Sequence, residues 1–212
     1  MQSRYIEPRE LAALRSACTP RTWLPLQIAA ETGLRIGDVL KLRWDDINGQ
    51  NLRFVAQKTG KAGVAVIGAE TARFLRLWRR GAPSPWVFPS PKRPELHLTR
   101  QTIWKRVKTA CARAGLNPQG VSPHSFRKYY GVQEYHRHGI GAARAGLQHT
   151  DIATTEIYAL ADWATGERAA EPLRRSDLPR IIRYIAAWLN IAVDRGFSAE
   201  KPSKVVEKQK KP

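Results

Sequence analysis

The chain has 212 residues, 42% of them hydrophobic and seven of them Trp, enough for one folded domain with or without an appendage; wholesale disorder is excluded. Lys and Arg outnumber Asp and Glu by 36 to 18, and a formal charge of +18 points to a polyanionic partner, nucleic acid first. No run approaches the roughly 18 apolar residues of a membrane span, and no signal-peptide apolar region opens the chain, so a soluble, cytoplasmic protein without membrane contact is expected.

The start reads as helical. Pro8 suits a first helical turn, and Leu11, Leu14 and Cys18 follow at helical spacing. A second helix is predicted from about Thr22 to Thr32, interrupted by Gly33 and resumed briefly from Arg35 to Leu40. Asn48-Gly49 marks a turn. Residues 51–57 then alternate Leu52, Phe54 and Ala56 against polar neighbours, and residues 64–67 are also strand-like. The glycines of the segment between them, Gly60 and Gly63, suit a hairpin turn. The fold class expected is therefore mainly α with a small β-hairpin sheet.

A helix carrying Phe74, Leu77 and Trp78 on one face follows, then a proline-rich loop from Pro83 to Pro94. From about Thr99 to Ala114 a helix places Ile103, Val107 and Cys111 inward, and Gly115 stops it. Cys18 and Cys111, each in an apolar helical pattern, read as reduced core residues rather than a disulfide or metal site. Ser122-Pro123 is an N-cap followed by proline, so it opens a helix on which His124 and Arg127 share a face. Asp151 can cap a short helix ending near Tyr158. Asp177, Pro179 and Gly196 bracket an amphipathic helix with an apolar stripe from Ile181 to Val193, and residues 201–212 form a lysine-rich tail expected to be disordered.

Arg35, His124, Arg127, His149 and Tyr158 are together the residue types needed to break and rejoin a DNA phosphodiester without a metal or other cofactor. Two guanidiniums can grip phosphate oxygens and stay charged at any working pH. Histidines can hydrogen-bond the phosphate or move protons, and a tyrosine can attack it once its phenol, with a pKa of about 10, is helped to ionise. A leaving 5′ hydroxyl needs a proton, and Lys58 at the end of the first strand is the candidate donor, with Lys61 as a substitute. Tyr129, Tyr130 and Tyr135 are rival nucleophiles. His149 also reads as a satisfied surface or core histidine, and Asp38 as an ordinary helix-surface carboxylate.

At these positions the chain resembles the catalytic domain of the tyrosine recombinases, or phage-type integrases. Box I resembles Thr32-Gly33-Leu34-Arg35-Ile36-Gly37-Asp38-Val39-Leu40-Lys41-Leu42, and the hairpin lysine matches Lys58 in Gln57-Lys58-Thr59-Gly60. Box II resembles Ser122-Pro123-His124-Ser125-Phe126-Arg127. The closing motif resembles Leu147-Gln148-His149-Thr150-Asp151 through Thr154-Thr155-Glu156-Ile157-Tyr158. The resemblance implies that Tyr158 attacks the phosphate and leaves a 3′-phosphotyrosyl bond. Arg35, Arg127, His124 and His149 stabilise the phosphate, and Asp38 supports the arginine cluster from behind. It also implies double-stranded DNA as partner and a homo-oligomer, a tetramer, assembled on it. Residues 1–176 are then the catalytic domain; the stripe of the 177–200 helix is most simply core, and the alternative that the resemblance offers is that this helix docks on a neighbouring protomer, as C-terminal segments in this family often do.

Three departures stand out. Gln148 replaces the usual glycine before the third motif's histidine, and Lys128 replaces the histidine that commonly follows the box II arginine. Some thirty residues precede box I where most members carry a DNA-clamping domain, so the chain is expected to be a shortened form or a single-domain member such as the fimbrial-phase invertases. Two other readings share the composition: a type IB topoisomerase-like DNA relaxer, and a catalytically silent DNA-binding module.

Overall fold

A computed structural model describes residues 3–80 and 84–147. Six helices and three short strands are present among them: α1 (Pro8–Ala17), α2 (Pro20–Thr32), α3 (Ile36–Leu40), β1 (Ile47–Asn48), β2 (Asn51–Val55), β3 (Ala62–Val66), α4 (Ala69–Arg79), α5 (Arg100–Arg113) and α6 (Pro123–Gly146). This is the mainly α fold with a small sheet that the sequence predicts. His149, Tyr158, the Ile181–Val193 stripe and the lysine-rich tail lie outside the described residues.

α2 is the central helix, packed against α3, α4, α5 and α6. Its Leu24, Leu26, Ile28 and Ala29 are buried, and Trp23 meets Phe126 of α6 edge to face, ring centroids 6.1 Å apart. Ile103 and Val107 of α5, Leu40 of α3 and Leu75 of α4 complete the same core. Each such side chain, once fully buried, contributes about 1.5–3 kcal/mol of hydrophobic stabilisation. A smaller cluster of Val132, Tyr135, Ala143 and the C-cap residue Leu147 lies along α6 from its middle to its end, and the helix breaks direction at Gly139 (φ 79°).

The sheet is antiparallel in the order β1-β2-β3, with Leu52 paired to Ile47 on one side and to Ala65 on the other. Leu52 and Ala56 turn inward as their alternation predicts. β1 is an addition to the predicted hairpin. Helix α4 also shows a difference: it buries Thr71, Ala72 and Leu75, and leaves Phe74 and Leu77 exposed, with Phe74 stacked on Trp78. Cys18 and Cys111 are free thiols; burial raises both, Cys18 to about 11. No helix among the described residues is long and apolar enough to cross a membrane.

Candidate active site

The box I turn is built first by glycine. Gly33 takes the left-handed conformation (φ 67°) and caps α2, its N–H donating to the Ala29 carbonyl at 3.1 Å. Thr32 Oγ1 donates to the Ile28 carbonyl at 2.6 Å and accepts from the Leu34 N–H at 3.3 Å, which fixes the path out of the helix. Arg35 follows as the N-cap residue of α3, its carbonyl accepting from the Asp38 and Val39 amides. The Arg35 side chain is half-buried and lines a cleft of about 390 Å³ together with Asp38, Phe54, Arg127 and Tyr130.

Arg127 reaches the same cleft from α6. The N-cap of α6 forms as its sequence predicts: Ser122 Oγ accepts from the His124 N–H at 3.2 Å and Pro123 occupies the first turn. One turn on, Arg127 is buried, and its two terminal nitrogens donate to the carbonyls of Gly33 and Leu147. The guanidinium thus joins the box I turn, α6 and the end of α6.

His124 shares that face but stays exposed. Its pKa is lowered to about 4, first by burial of the ring against its surroundings, then by repulsion from Arg127, Lys128 and Arg35. Because the residue keeps solvent access, repulsion is the part that a bound anion cancels. Lys58 stands on the exposed hairpin turn, where Gly60 supplies a positive φ of 67°. Asp38 is buried and accepts from the Gln57 N–H at 3.2 Å, while Gln57 Nε2 donates to the Gly37 carbonyl at 3.0 Å. These two bonds run from α3 to the residue next to Lys58, so Asp38 holds the base of the hairpin.

Two features were not read from the sequence. Glu31 braces α2 against the start of α4, accepting from Gly68 N at 3.0 Å and Thr71 Oγ1 at 2.7 Å. Tyr130 fills the space that the missing side chains of Gly33 and Gly146 leave open. Of the rival tyrosines, Tyr130 also lines the cleft of Arg35 and Arg127. Tyr129 stacks on Tyr5 with ring centroids 6.3 Å apart, Tyr135 is 1% exposed, and burial followed by Glu134 raises the Tyr130 phenol. Beside the His124 turn, Arg100, Gln101, Trp104 and Lys105 of α5 face an open groove shared with Ile36 and Pro123.

Residues 4–164 match the phage integrase family. The chain belongs to that family. Tyrosine recombinase XerC of Erythrobacter litoralis is 38% identical over 115 residues, which are 50% of this chain and 36% of that protein. Tyrosine recombinase XerD of Pasteurella multocida is 30% identical over 143 residues, 63% of this chain and 48% of that one. The chain therefore spans between a third and a half of the length of these relatives. Among solved structures, a lambda integrase tetramer bound to a Holliday junction shares the fold with a TM-score of 0.63 at 18% identity, over 74% of this chain and 48% of that one.

Proposed function

We propose that the chain is the catalytic part of a site-specific DNA recombinase or integrase that cuts and rejoins double-stranded DNA through a 3′-phosphotyrosyl bond. The observation that carries this reading is the meeting of Arg35, the N-cap of α3, and Arg127 of α6 at one cleft, with an exposed His124 near enough to feel both charges. A scissile phosphate placed there meets two permanent cations, and the five N–H of a guanidinium let one group serve backbone carbonyls and a phosphate oxygen together. Negative charge that grows on the phosphate oxygens in the transition state is stabilised by these fixed donors.

Tyr158 Oη attacks phosphorus, its proton passing to solvent or to the phosphate site; the new P–O bond forms as the bond to the 5′ oxygen breaks. Lys58 on the hairpin gives its proton to that 5′ oxygen, and a 5′ hydroxyl from a partner strand later reverses each step. His124 is neutral at pH 7 and serves as a hydrogen-bond partner to the phosphate; the phosphate's charge, set against Arg127, Lys128 and Arg35, raises its pKa on binding. His149 completes the phosphate contacts. The Arg100, Gln101, Trp104 and Lys105 face supplies further contact with DNA, and copies of the chain assemble on it, as the lambda integrase tetramer does on a Holliday junction.

Covalent trapping tests this reading. The protein and a Tyr158→Phe variant are incubated with nicked duplexes from the DNA flanking its own gene and examined for an SDS-resistant protein–DNA band. A band that depends on Tyr158 supports the reading and lets the attached site be sequenced. Adducts retained by Tyr158→Phe move the nucleophile to another tyrosine. Binding without any adduct turns the reading toward a silent DNA-binding module.

A further inference from the structure

Lys128 follows Arg127 where the family resemblance calls for a histidine, and its side chain is buried with its ammonium donating to the backbone carbonyl of Ser3. Ser3 begins a strap, residues 3–6, laid across the loop before α6 and the first turns of that helix. The Arg4 N–H donates to the Gly120 carbonyl at 2.8 Å, and Arg4 Nε to the Gln119 carbonyl at 3.3 Å. Glu10 holds the same guanidinium at 2.6 and 2.8 Å. A Cβ on Gly120 would stand 3.2 Å from the Arg4 side chain, so strap and loop are in close contact. Tyr5 lies parallel to Tyr129, Ile6 is fully buried, and Ser125 Oγ donates to the Gly120 carbonyl at 3.4 Å. The strap and its loop therefore hold α6 at residues 125, 128 and 129, within the same turns that carry His124 and Arg127.

We propose that Lys128 is a positioning residue: by tying α6 to the Ser3–Ile6 strap it sets where His124 and Arg127 stand, and makes the phosphate site answer to the placement of the N-terminal segment. The chemistry of the tie favours geometry over stability. A buried ammonium held by a carbonyl rather than a carboxylate recovers little of its desolvation cost, so Lys128→Met is expected to fold. Burial indeed lowers the Lys128 pKa. What the lysine adds is reach, a point donor on a four-carbon stem that spans from the helix to the strap. A histidine at this position lacks that length.

The inference rests on the proposed roles of His124 and Arg127, and its test separates the two. Lys128→Met, Arg4→Ala, their combination and Lys128→Arg are made in the full chain. Amide hydrogen exchange across residues 123–132 is followed in the free protein, and Tyr158-dependent adduct formation and DNA affinity are measured alongside. Lys128→Met and Arg4→Ala each speed exchange in that segment and slow adduct formation about tenfold to a hundredfold, the scale of a small misplacement of catalytic groups, with DNA affinity unchanged. The double variant is no slower than the slower single one, because both break one tie. Lys128→Arg, which keeps a long donor, restores most of the rate and the protection. Effects that multiply, or exchange unchanged in both single variants, or DNA affinity falling in step with the adduct rate, overturn the proposal. Should the unmodified chain form no adduct while exchange responds as described, the tie stands and the recombinase reading falls. Arg4→Ala and Lys128→Arg carry the test if Lys128→Met does not fold.

Discussion

The buried guanidinium of Arg127 donates to the carbonyl of Gly33, a residue 94 positions earlier in the chain. One side chain from α6 thereby fixes the turn that presents Arg35, while its other terminal nitrogen holds Leu147. Arg127→Ala leaves both carbonyls without that donor and is expected to lower stability by about 2–4 kcal/mol in urea unfolding. Arg127→Lys, with a single point donor in place of a fork, is expected to lose about half as much. If the recombinase reading holds, either change also costs several hundredfold in adduct formation, in line with about 3–4 kcal/mol for a lost transition-state donor. An Arg127→Ala chain as stable as its parent would show that the two bonds contribute nothing.

Gly33 is constrained twice. Its φ of 67° disfavours any side chain, and a Cβ there would clash with the Tyr130 ring. Gly33→Ala is expected to destabilise by about 1 kcal/mol through the backbone and about 1–3 kcal/mol more through overpacking. In a Tyr130→Ala background most of the overpacking cost is lost, leaving the backbone cost and the tight approach of Leu147 Cδ2 at 3.1 Å. A double-mutant cycle in urea measures the difference, and equal costs in both backgrounds would remove the clash from the explanation.

His124 gives a pH dependence with a definite sign. Its value of about 4 in the folded chain lies below the ordinary 6.5. Between those values the unfolded chain binds the proton and the native one does not, so stability falls as pH drops from 6.5 toward 4 and the loss levels off below. His124→Gln removes this contribution, and its urea midpoint should fall less over the same interval. An NMR titration of the ring in the free protein follows the group directly; a midpoint at or above 6.5 contradicts the electrostatics described.

Lys58, exposed on its turn, is expected to be neutral to folding: Lys58→Ala shifts stability by less than about 0.5 kcal/mol. Its proposed work is proton donation, so the defect should depend on the leaving group. With an ordinary substrate, adduct formation drops about a hundredfold or more. With a 5′-bridging sulfur in place of oxygen, whose thiolate leaves without a proton, the variant should match the parent. Equal defects on both substrates would assign Lys58 to binding, and rescue of the ordinary reaction by Lys61 would show as a small defect on either.

What was legible in the sequence followed local rules. Ser122-Pro123 announced α6, Gly33 the end of α2, and the alternation around Leu52 the inward face of β2. Two-residue β1 offers no alternation to detect, and its pairing depends on β2 folding back over it. Helix α4 misleads because Phe74 and Leu77 are larger and more apolar than the Thr71 and Ala72 that the close approach to α2 admits. Within the candidate site, residue types and spacing placed Arg35, His124 and Arg127 in one region. That Arg127 faces inward could not be read, since its partners are backbone carbonyls brought near only by the fold. The bond from Gln57 to Asp38, and the strap under Lys128, were hidden for the same reason.

Arg127 and Lys58 occupy opposite ends of a scale of tolerance. Among the described residues, the arginine holds distant parts of the backbone together, whereas the lysine stands on a turn open to water. Drift in such a lineage is therefore channelled. On the proposed reading, a change at Lys58 removes the proton donor and one positive charge while sparing the folded body, and the chain it leaves is expected still to occupy DNA and compete with active copies. A change at Arg127 weakens the body itself, and less folded chain remains to compete.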